Sequence, residues 1–396
     1  MAKKPHCLLL LFEGLPATVI QSQVLERVRW LENEGIATFD LLSFAHSKAL
    51  FDASASRLNA IPFEMSKKIT LVKGIRPAIP GSRVINRRLL ALQIAKTATR
   101  YDLIQARGDY AAAVAGPWAR SKRLPMIWDC RGDGEAEFYE RCERQGRRGP
   151  QVTWRAREAR KDGFIAARTA SIASFVSHPL RAKWRGEMMG KPSYVIPCVA
   201  DQKLFYFDPV LRSGMRAKLD YAPSDVVFVY SGSLNFYQGF DLMIDWFRTA
   251  SAALPSARLL ILTPQVAEAR SMLRGMDQAQ VTVISAAFEN VNGYLNAADY
   301  GFLLRPVSKT NKAAFPTKFA EYGLTGLATI IGPSVPDCFE FAKSAGNLVL
   351  ADAPAASLHG RTEARAATMS HFVERLTHQG LSNEIRTLYR NIPKSD

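Results

Sequence analysis

Residues 299–333, DYGFLLRPVSKTNKAAFPTKFAEYGLTGLATIIGP, carry the alternation that decides the fold. Tyr300–Leu304 is a short, dense apolar run, the pattern of a strand buried on both faces of a parallel sheet. Arg305 to Ala314 follows as a polar loop, with Arg305, Lys309 and Lys312 and no acidic residue. Pro316 stands at the first position of a helix, where a missing N–H is tolerated, and Gly326 closes that helix. Leu327–Ile331 is a second buried strand. Strand, basic loop, helix, strand is a βαβ unit, and ligands of such sheets sit beyond the carboxyl ends of the strands. An anion there meets the free N–H groups and the positive end of the helix.

Lys318 and Glu321 are three residues apart and share a face of that helix. The face offers a cation for phosphate and, a turn on, a carboxylate that accepts from two hydroxyls. That suits a nucleotide sugar, with its diphosphate at the helix start and its ribose diol against the Glu. On most helices such a pair is solvated and of little energetic consequence. The surrounding pattern, P-x-K-x-x-E-Y-x-x-x-G over residues 316–326, is more specific. It resembles the C-terminal donor site of GT-B glycosyltransferases, family 4 and its relatives in particular. The resemblance implies that Glu321 holds the ribose, and that Pro316, Thr317 and Lys318 at the helix start, with Lys309 before them, bind the donor. Two positions depart from the pattern. The Glu that family 4 commonly carries eight residues earlier is Ala313, and the Pro two residues after the Gly is Ala328.

The 396 residues, 47% hydrophobic and 10% aromatic, suffice for two or three domains with ample cores. A formal charge of +16 implies an acidic partner, whether a substrate, a lipid surface or nucleic acid. The five Cys are scattered without a C-x-x-C, which favours a reducing compartment over a disulfide framework. Neither they nor the six His show metal-ligand spacing. No Asp-x-Asp occurs, which disfavours a metal-dependent GT-A transferase. The apolar run Cys7–Phe12 is too short for the core of a signal peptide and fits a strand. No stretch approaches the eighteen or so apolar residues of a membrane-spanning helix. The expected location is the cytoplasm, or the inner face of the membrane as a peripheral protein.

Strand Cys7–Phe12 leads through Gly14 and Pro16 into an amphipathic helix with Val19, Val24, Val28 and Leu31, closed by Gly35, and then strand Thr38–Phe44. The turn Glu13-Gly14-Leu15 lacks G-x-G-x-x-G, so a dinucleotide fingerprint is not supported. In GT-B enzymes the matching loop helps seat the acceptor, which by resemblance assigns Gly14 and Leu15 to acceptor binding. Strands Ile69–Val72, Asp102–Gln105 and Met126–Trp128 alternate with helices over Ser82–Thr99 and Tyr110–Arg120, as in a parallel, doubly wound sheet. The Met126 strand runs into Asp129-Cys130-Arg131-Gly132-Asp133, polar residues at a carboxyl end. This Asp-x-Arg-Gly pattern is similar to that of some bacterial relatives of family 4, which points to Asp129 and Arg131. The His that often stands in the family's loop is missing.

Between Arg120 and Lys191 there are 17 Lys and Arg against 9 Asp and Glu, an excess of +8. Arg141, Arg144, Arg147, Arg148, Arg155, Arg157, Arg160 and Lys161 cluster around Trp154. A basic face is usually just solvated, but this asymmetry suits an anionic bilayer or a lipid diphosphate, each surface cation contributing about 1 kcal/mol. No nucleic-acid motif accompanies it.

Strand Ile172–Ser177, a helix from Pro179 and strand Tyr194–Ile196 finish the first domain. Pro197-Cys198-Val199-Ala200-Asp201 and the KLFYFDP that follows resemble the GT-B interdomain link. Strand Val226–Tyr230 then runs into Ser231-Gly232-Ser233-Leu234, where a Gly lets a diphosphate approach the backbone closely. Family 4 typically places Arg after this Gly and Lys five residues later, and those positions are Ser233 and Gln238. Compensating charge must come from Arg305, Lys309, Lys312 or Lys318, or donor binding is altered. Helices over Phe240–Leu254 and near Gln265–Gly275, strands Arg258–Leu262 and Val281–Ile284, and a helical 291–299 complete the second domain.

The expected architecture is α/β and GT-B, two doubly wound Rossmann-like domains facing a central cleft. Residues 1–197 bind the acceptor and 198–370 the nucleotide sugar, with a C-terminal helix, 371–396, crossing back onto the first domain. The resemblance implies retaining, metal-independent transfer of a sugar to an acceptor hydroxyl, in cell-surface polysaccharide or glycolipid synthesis. Asp129, Arg131 and Arg305 are its catalytic residues. Gly232, Ser233, Lys309, Pro316, Thr317, Lys318 and Glu321 bind the donor. No cofactor is implied beyond the nucleotide sugar as substrate, and no metal. The partners are that donor, a glycan or lipid-linked acceptor and an anionic membrane surface, without nucleic acid. Two other readings stay open. A nucleotide-sugar epimerase of the same fold would act on donor alone, and a non-catalytic basic protein would bind polyanions with no nucleotide preference.

Overall fold

Runs such as Leu8–Leu11 and Val226–Tyr230 bury every side chain, as strands do when helices cover both faces of a parallel sheet. The computed structural model describes residues 4–16, 20–77, 79–97, 99–354, 357–361 and 365–393. The chain divides into two compact units, Met1–Pro197 with Ser382–Asp396, and Cys198–Leu381.

In the first unit, β1 (His6–Leu11), β2 (Thr38–Ala45), β3 (Ile69–Lys73), β4 (Leu103–Arg107), β5 (Met126–Cys130), β6 (Ile172–Phe175) and β7 (Ser193–Val195) build a seven-stranded parallel sheet. Its order is β3-β2-β1-β4-β5-β6-β7, with Cys7 opposite Phe39 on one side and Leu103 on the other. In the second unit, β8 (Val226–Ser231), β9 (Ala257–Leu262), β10 (Val281–Ile284), β11 (Tyr300–Leu303), β12 (Ala328–Ile331) and β13 (Leu348–Leu350) form a six-stranded sheet. Its order, β10-β9-β8-β11-β12-β13, repeats the same winding. In each sheet the order reverses between two neighbours, β1 and β4 or β8 and β11. The space beyond their carboxyl ends is therefore the switch point where ligands bind.

The second unit's core is aromatic: Phe228 stacks on Tyr300 at 5.3 Å and on Phe302 at 5.9 Å. At the opposite end of these strands Asp299 is fully buried. Its carboxylate pairs with Arg212 at 2.7 Å and Arg216 at 2.8 Å, and accepts from the Val227 N–H at 2.9 Å. Arg365, also fully buried, stands 3.7 Å from it.

Several elements differ from the sequence reading. The polar loop after β11 contains a helical turn, Lys309–Ala313, because Ser308 Oγ caps it by accepting from Asn311 N–H. Pro316, with ψ 134°, is the extended N-cap of helix Thr317–Leu324 rather than its first residue. Asp129 lies within β5, not in the loop beyond it. The basic stretch between β5 and β6 forms two helices, Gly134–Arg144 and Pro150–Thr169. Val19 and residues 394–396 lie outside the described residues.

The tail is shared rather than crossing as one helix. Helix Arg365–Arg375 belongs to the second unit, where Phe372 packs on Phe341 at 4.8 Å and on Phe319 at 5.1 Å. A Cβ on Gly323 would stand 1.9 Å from the Phe372 ring, so the two helices meet only because that position is bare. Only helix Ser382–Arg390 joins the first unit, where the Tyr389 hydroxyl donates to Gln105 at 2.6 Å.

Candidate active site

Beyond β8 the chain turns through Gly232, whose φ of +139° L side chains rarely adopt. A Cβ there would stand 3.0 Å from Lys318 Nζ, so a side chain at this position would crowd the lysine where it crosses the turn. Lys318 is 8% exposed, and its ammonium lies 4.3 Å from the centroid of the Tyr230 ring. Burial, then repulsion from Arg305, hold its pKa well below the ordinary lysine value, with Glu321 pulling the other way. The Tyr322 hydroxyl accepts from Ser231 N–H at 2.9 Å and ties the helix carrying Lys318 to the end of β8.

Arg305 follows β11 and is also 8% exposed. Its Nη1 donates to Asn311 Oδ1 at 3.1 Å and its Nη2 to Gln238 Oε1 at 2.9 Å. Asn311 donates in turn to the Pro306 carbonyl at 2.9 Å, which fixes the orientation of its amide. The guanidinium lies 5.8 Å from the Tyr237 ring centroid, and its Nε is buried without a partner. Burial lowers its pKa, and the groups that act to raise it are Cys338, Tyr230, Tyr237 and Tyr322, none of them a carboxylate. Among the described residues Arg305 forms no ion pair. Glu321, one turn after Lys318, is half-buried, and burial pushes its carboxyl up to about 7 against the pull of Lys318.

The second unit thus brings Gly232, Arg305, Lys318 and Glu321 to one switch point. Ser233 shares the turn, its carbonyl accepting from the Tyr230 hydroxyl at 2.6 Å and its hydroxyl from Asn235 at 2.9 Å. Thr317 opens the helix behind Pro316, while Lys309 and Lys312 are exposed on the helical turn. Two buried basic side chains with one carboxyl nearby, beside a bare backbone turn and a helix start, have the chemistry to receive an anion. Sequence reading missed the residues that hold Arg305. Gln238 was visible only as a missing cation, and Asn311, six residues after Arg305 in the same loop, was the available signal for the other.

In the first unit, Asp129 is 4% exposed and accepts from Ser174 Oγ at 2.9 Å, with Arg131 Nη1 at 3.4 Å. Burial alone would raise its pKa, but Arg131, Arg27 and Arg107 outweigh it and hold the carboxyl below its usual range. Gln23 accepts from Arg107 at 2.8 Å and Arg131 at 3.3 Å, and Arg107 pairs with Glu13 at 2.6 Å. Nε and Nη2 of Arg27 and Nη1 of Arg107 are buried without a partner. Gln23, Arg27, Arg107 and Asp129 line a cavity of about 10 Å³, room for one water. Asp109 was also missed: Cys130 Sγ donates to it at 3.3 Å, and burial pushes its carboxyl up to about 7.

Leu15 does not face outward. It is 1% exposed and its N–H donates to Ser54 Oγ at 3.1 Å, because helix Lys48–Asn59 packs under the turn. A Cβ on Gly14 would stand 2.7 Å from Leu50 Cδ1 of the same helix.

No protein-family model matches the sequence, and no curated protein matches it. Solved structures do. The sucrose-phosphate synthase of Thermosynechococcus elongatus superposes with a TM-score of 0.71 over 98% of this chain and 98% of its own, at 16% identity. HepE of Anabaena, solved in complex with UDP, gives 0.69 over 98% of this chain and 100% of its own, also at 16% identity. An α,α-trehalose-phosphate synthase (UDP-forming) from Burkholderia vietnamiensis gives 0.61 over 98% of each chain at 10% identity. At such identities the likeness is one of fold. With two parallel, doubly wound sheets of seven and six strands, the chain has the GT-B fold.

Proposed function

We infer that the protein is a glycosyltransferase that moves a sugar from a nucleotide-sugar donor to an acceptor hydroxyl. One observation carries the reading: Arg305 and Lys318 are buried together at the switch point of the second sheet, and among the described residues Arg305 has no carboxylate partner. A buried cation left in this way is costly unless an anion arrives. In the proposed roles Lys318, Arg305 and the backbone at Gly232 and Ser233 hold the donor diphosphate, with Thr317 at the helix start. Glu321 accepts from the ribose hydroxyls.

As the bond from the anomeric carbon to the diphosphate breaks, negative charge grows on the phosphate oxygens, and preset cations stabilise it more than they stabilise the ground state. The acceptor oxygen forms the new bond to the same carbon, and its proton passes to the departing diphosphate on that face. Configuration is then retained without a metal. In the first unit Arg131 and the Asp129 that orients it stand at the strand ends assigned to the acceptor.

The acceptor class we favour is a glycan or lipid-linked sugar of cell-surface synthesis, handled at the cytoplasmic face of a membrane. Support comes from the exposed side of helix Pro150–Thr169. There Trp154 is 38% exposed beside exposed Arg157, Arg160 and Lys161. Among the described residues no helix is long and apolar enough to cross a membrane.

The test is a thermal-shift panel of UDP, GDP, ADP, CMP and dTDP on the wild type, Arg305→Ala and Lys318→Ala. A nucleotide at about 100 times its Kd stabilises by about 2.7 kcal/mol, and both variants should lose that shift. A panel that stabilises nothing, or variants that keep the full shift, would remove the assignment. Conversion of donor alone to an epimer would replace transfer by epimerisation at the same site.

A further inference from the structure

At the other end of the first unit's sheet, where the strands begin, lies a groove of about 1010 Å³. Its walls carry Lys4, Arg100, Lys122, Arg386 and Arg390, against the single acid Asp102. It shares Leu124 and Pro393 with a second groove of about 850 Å³, which carries Arg120, Arg123, Arg168 and Lys191 and no acid among its lining residues. Gly35, Pro5, Asp102, Pro125, Ser171 and Lys191 lie shortly before β2, β1, β4, β5, β6 and β7, which are neighbours in that order. The joined groove therefore passes beneath six adjacent strands, a track of about 24 Å at about 4.8 Å per strand.

Among the described residues nine cations face one carboxylate along this track, and Asp102 is already accepting from His6 N–H at 2.8 Å. Arg386 pairs with Glu34 at 2.5 Å and Arg168 lies 3.8 Å from Glu187. Lys4, Arg100, Arg120, Lys122, Arg123 and Arg390 form no ion pair among the described residues. Lys191 is pinned by the carbonyls of Ala167 and Arg168 at 3.0 and 2.7 Å with Arg120 pressing on it, since burial and then Arg120 lower its pKa. Helices Ser82–Lys96, Asp109–Ser121 and Pro150–Thr169 end on this face. Their negative ends amount to about half a charge each. That falls well short of balancing the excess.

The shape and the side chains narrow the ligand. A flat bilayer does not enter a concave groove, and Met189, 75% exposed, is the one large apolar residue standing clear among those that line it. Grooves built for single-stranded nucleic acid combine their cations with a row of stacking rings. Here Trp118 is half-buried, while Tyr101 and Tyr389 are buried with their hydroxyls on Asp40 and Gln105. A linear carbohydrate with carboxylates at intervals needs neither, and its charges recur along its length as the cations do along the groove. We propose that this track binds an anionic polysaccharide strand, the growing acceptor or product of the transfer. The choice of carbohydrate rests on the glycosyltransferase reading above.

The test measures binding of labelled polygalacturonate to the full chain, with neutral dextran, a single-stranded DNA oligonucleotide and phosphatidylglycerol vesicles as comparisons. Polygalacturonate should bind at low salt and be released by added salt, and dextran should not bind. The triple variant Arg100→Glu, Lys122→Glu, Arg390→Glu should bind about tenfold more weakly or worse, with its melting temperature and nucleotide-induced shift as in the wild type. Unchanged polygalacturonate affinity in that folded variant overturns the site. Tighter binding of the oligonucleotide than of polygalacturonate, or vesicle binding that the triple variant abolishes, overturns the ligand class. Charge-dependent polygalacturonate binding with no shift from any nucleotide would leave this site standing while the donor-site reading fell.

Discussion

Arg305 and Gln238, 67 residues apart in sequence, are joined by a 2.9 Å hydrogen bond from guanidinium to carboxamide. An amide accepts from the guanidinium without cancelling its charge. Gln238 therefore aims the cation and leaves it available to an anion.

Replacing that amide by a carboxylate separates holding from neutralising. Gln238→Glu should melt at or above the wild-type temperature, because it completes an ion pair. Its affinity for the preferred nucleoside diphosphate should fall about tenfold or more, roughly 1.4 kcal/mol. Gln238→Ala should instead lose about 1–3 kcal/mol of stability from a buried donor left unsatisfied. Calorimetric titration beside denaturant melts reads both, and full affinity in Gln238→Glu would end the role given to Arg305.

Glu321 carries a pH signature. Its folded pKa of about 7 lies above the ordinary 4.5, so the protonated form is favoured by folding. That contribution is fully present below about 4.5 and is lost as pH rises through about 7. Melts of the unliganded protein should show this decline between those pH values, and Glu321→Gln should flatten it. Nucleotide affinity should run the other way, rising with pH as the carboxylate forms, with a loss of about 2–4 kcal/mol in Glu321→Gln. Equal affinity in the two proteins would detach Glu321 from the ribose.

A bound diphosphate should raise the Lys318 pKa, so proton uptake on binding should set in as the pH is raised. Burial and Arg305 depress its pKa in the free protein, and a bound anion restores it. Titrations in buffers of different ionisation enthalpy count the protons. The Glu321→Gln background removes the opposing release from that carboxyl. No buffer dependence in that background would show Lys318 to be charged beforehand.

Asp299 holds the far end of the second unit. Asp299→Asn preserves shape but leaves Arg212, Arg216 and Arg365 buried around a neutral amide. Losing the counter-charge of a buried cluster costs about 3–5 kcal/mol. Urea denaturation should show a loss of that size, and a loss under about 1 kcal/mol would mean that water reaches the cluster.

The exposed Trp154 face predicts co-sedimentation with anionic vesicles at low salt. Trp154→Ala combined with Arg157→Ala and Arg160→Ala should reduce the bound fraction severalfold, with about 1 kcal/mol expected per cation. Equal sedimentation with zwitterionic vesicles would sink the membrane assignment.

The fold was legible because parallel strands buried on both faces read as apolar runs, and β8, β11 and β12 were located that way within a residue. That Lys318, Glu321 and Gly232 come together was legible because a helix start and a strand end fix where such residues gather. Gln238 and Asn311 were not, since a neutral amide in a loop carries no signal until its partner is placed beside it. Arg27 and Arg107 escaped for a different reason. An arginine inside a helix or ending a strand looks solvated until three of them close around one carboxylate, a long-range arrangement with no local pattern. Leu15 was misplaced because helix Lys48–Asn59, which packs beneath its turn, was not anticipated.

The Tyr389–Gln105 hydrogen bond joins residues 284 positions apart, with the whole second unit between them in the chain. On the ribosome, β4 emerges about 15–60 s before the helix that covers it, at about 5–20 residues per second. The first unit must wait with its central strand uncapped while the second, made of one continuous segment, has all of its own residues first. Translation order therefore favours completion of the second unit before the first.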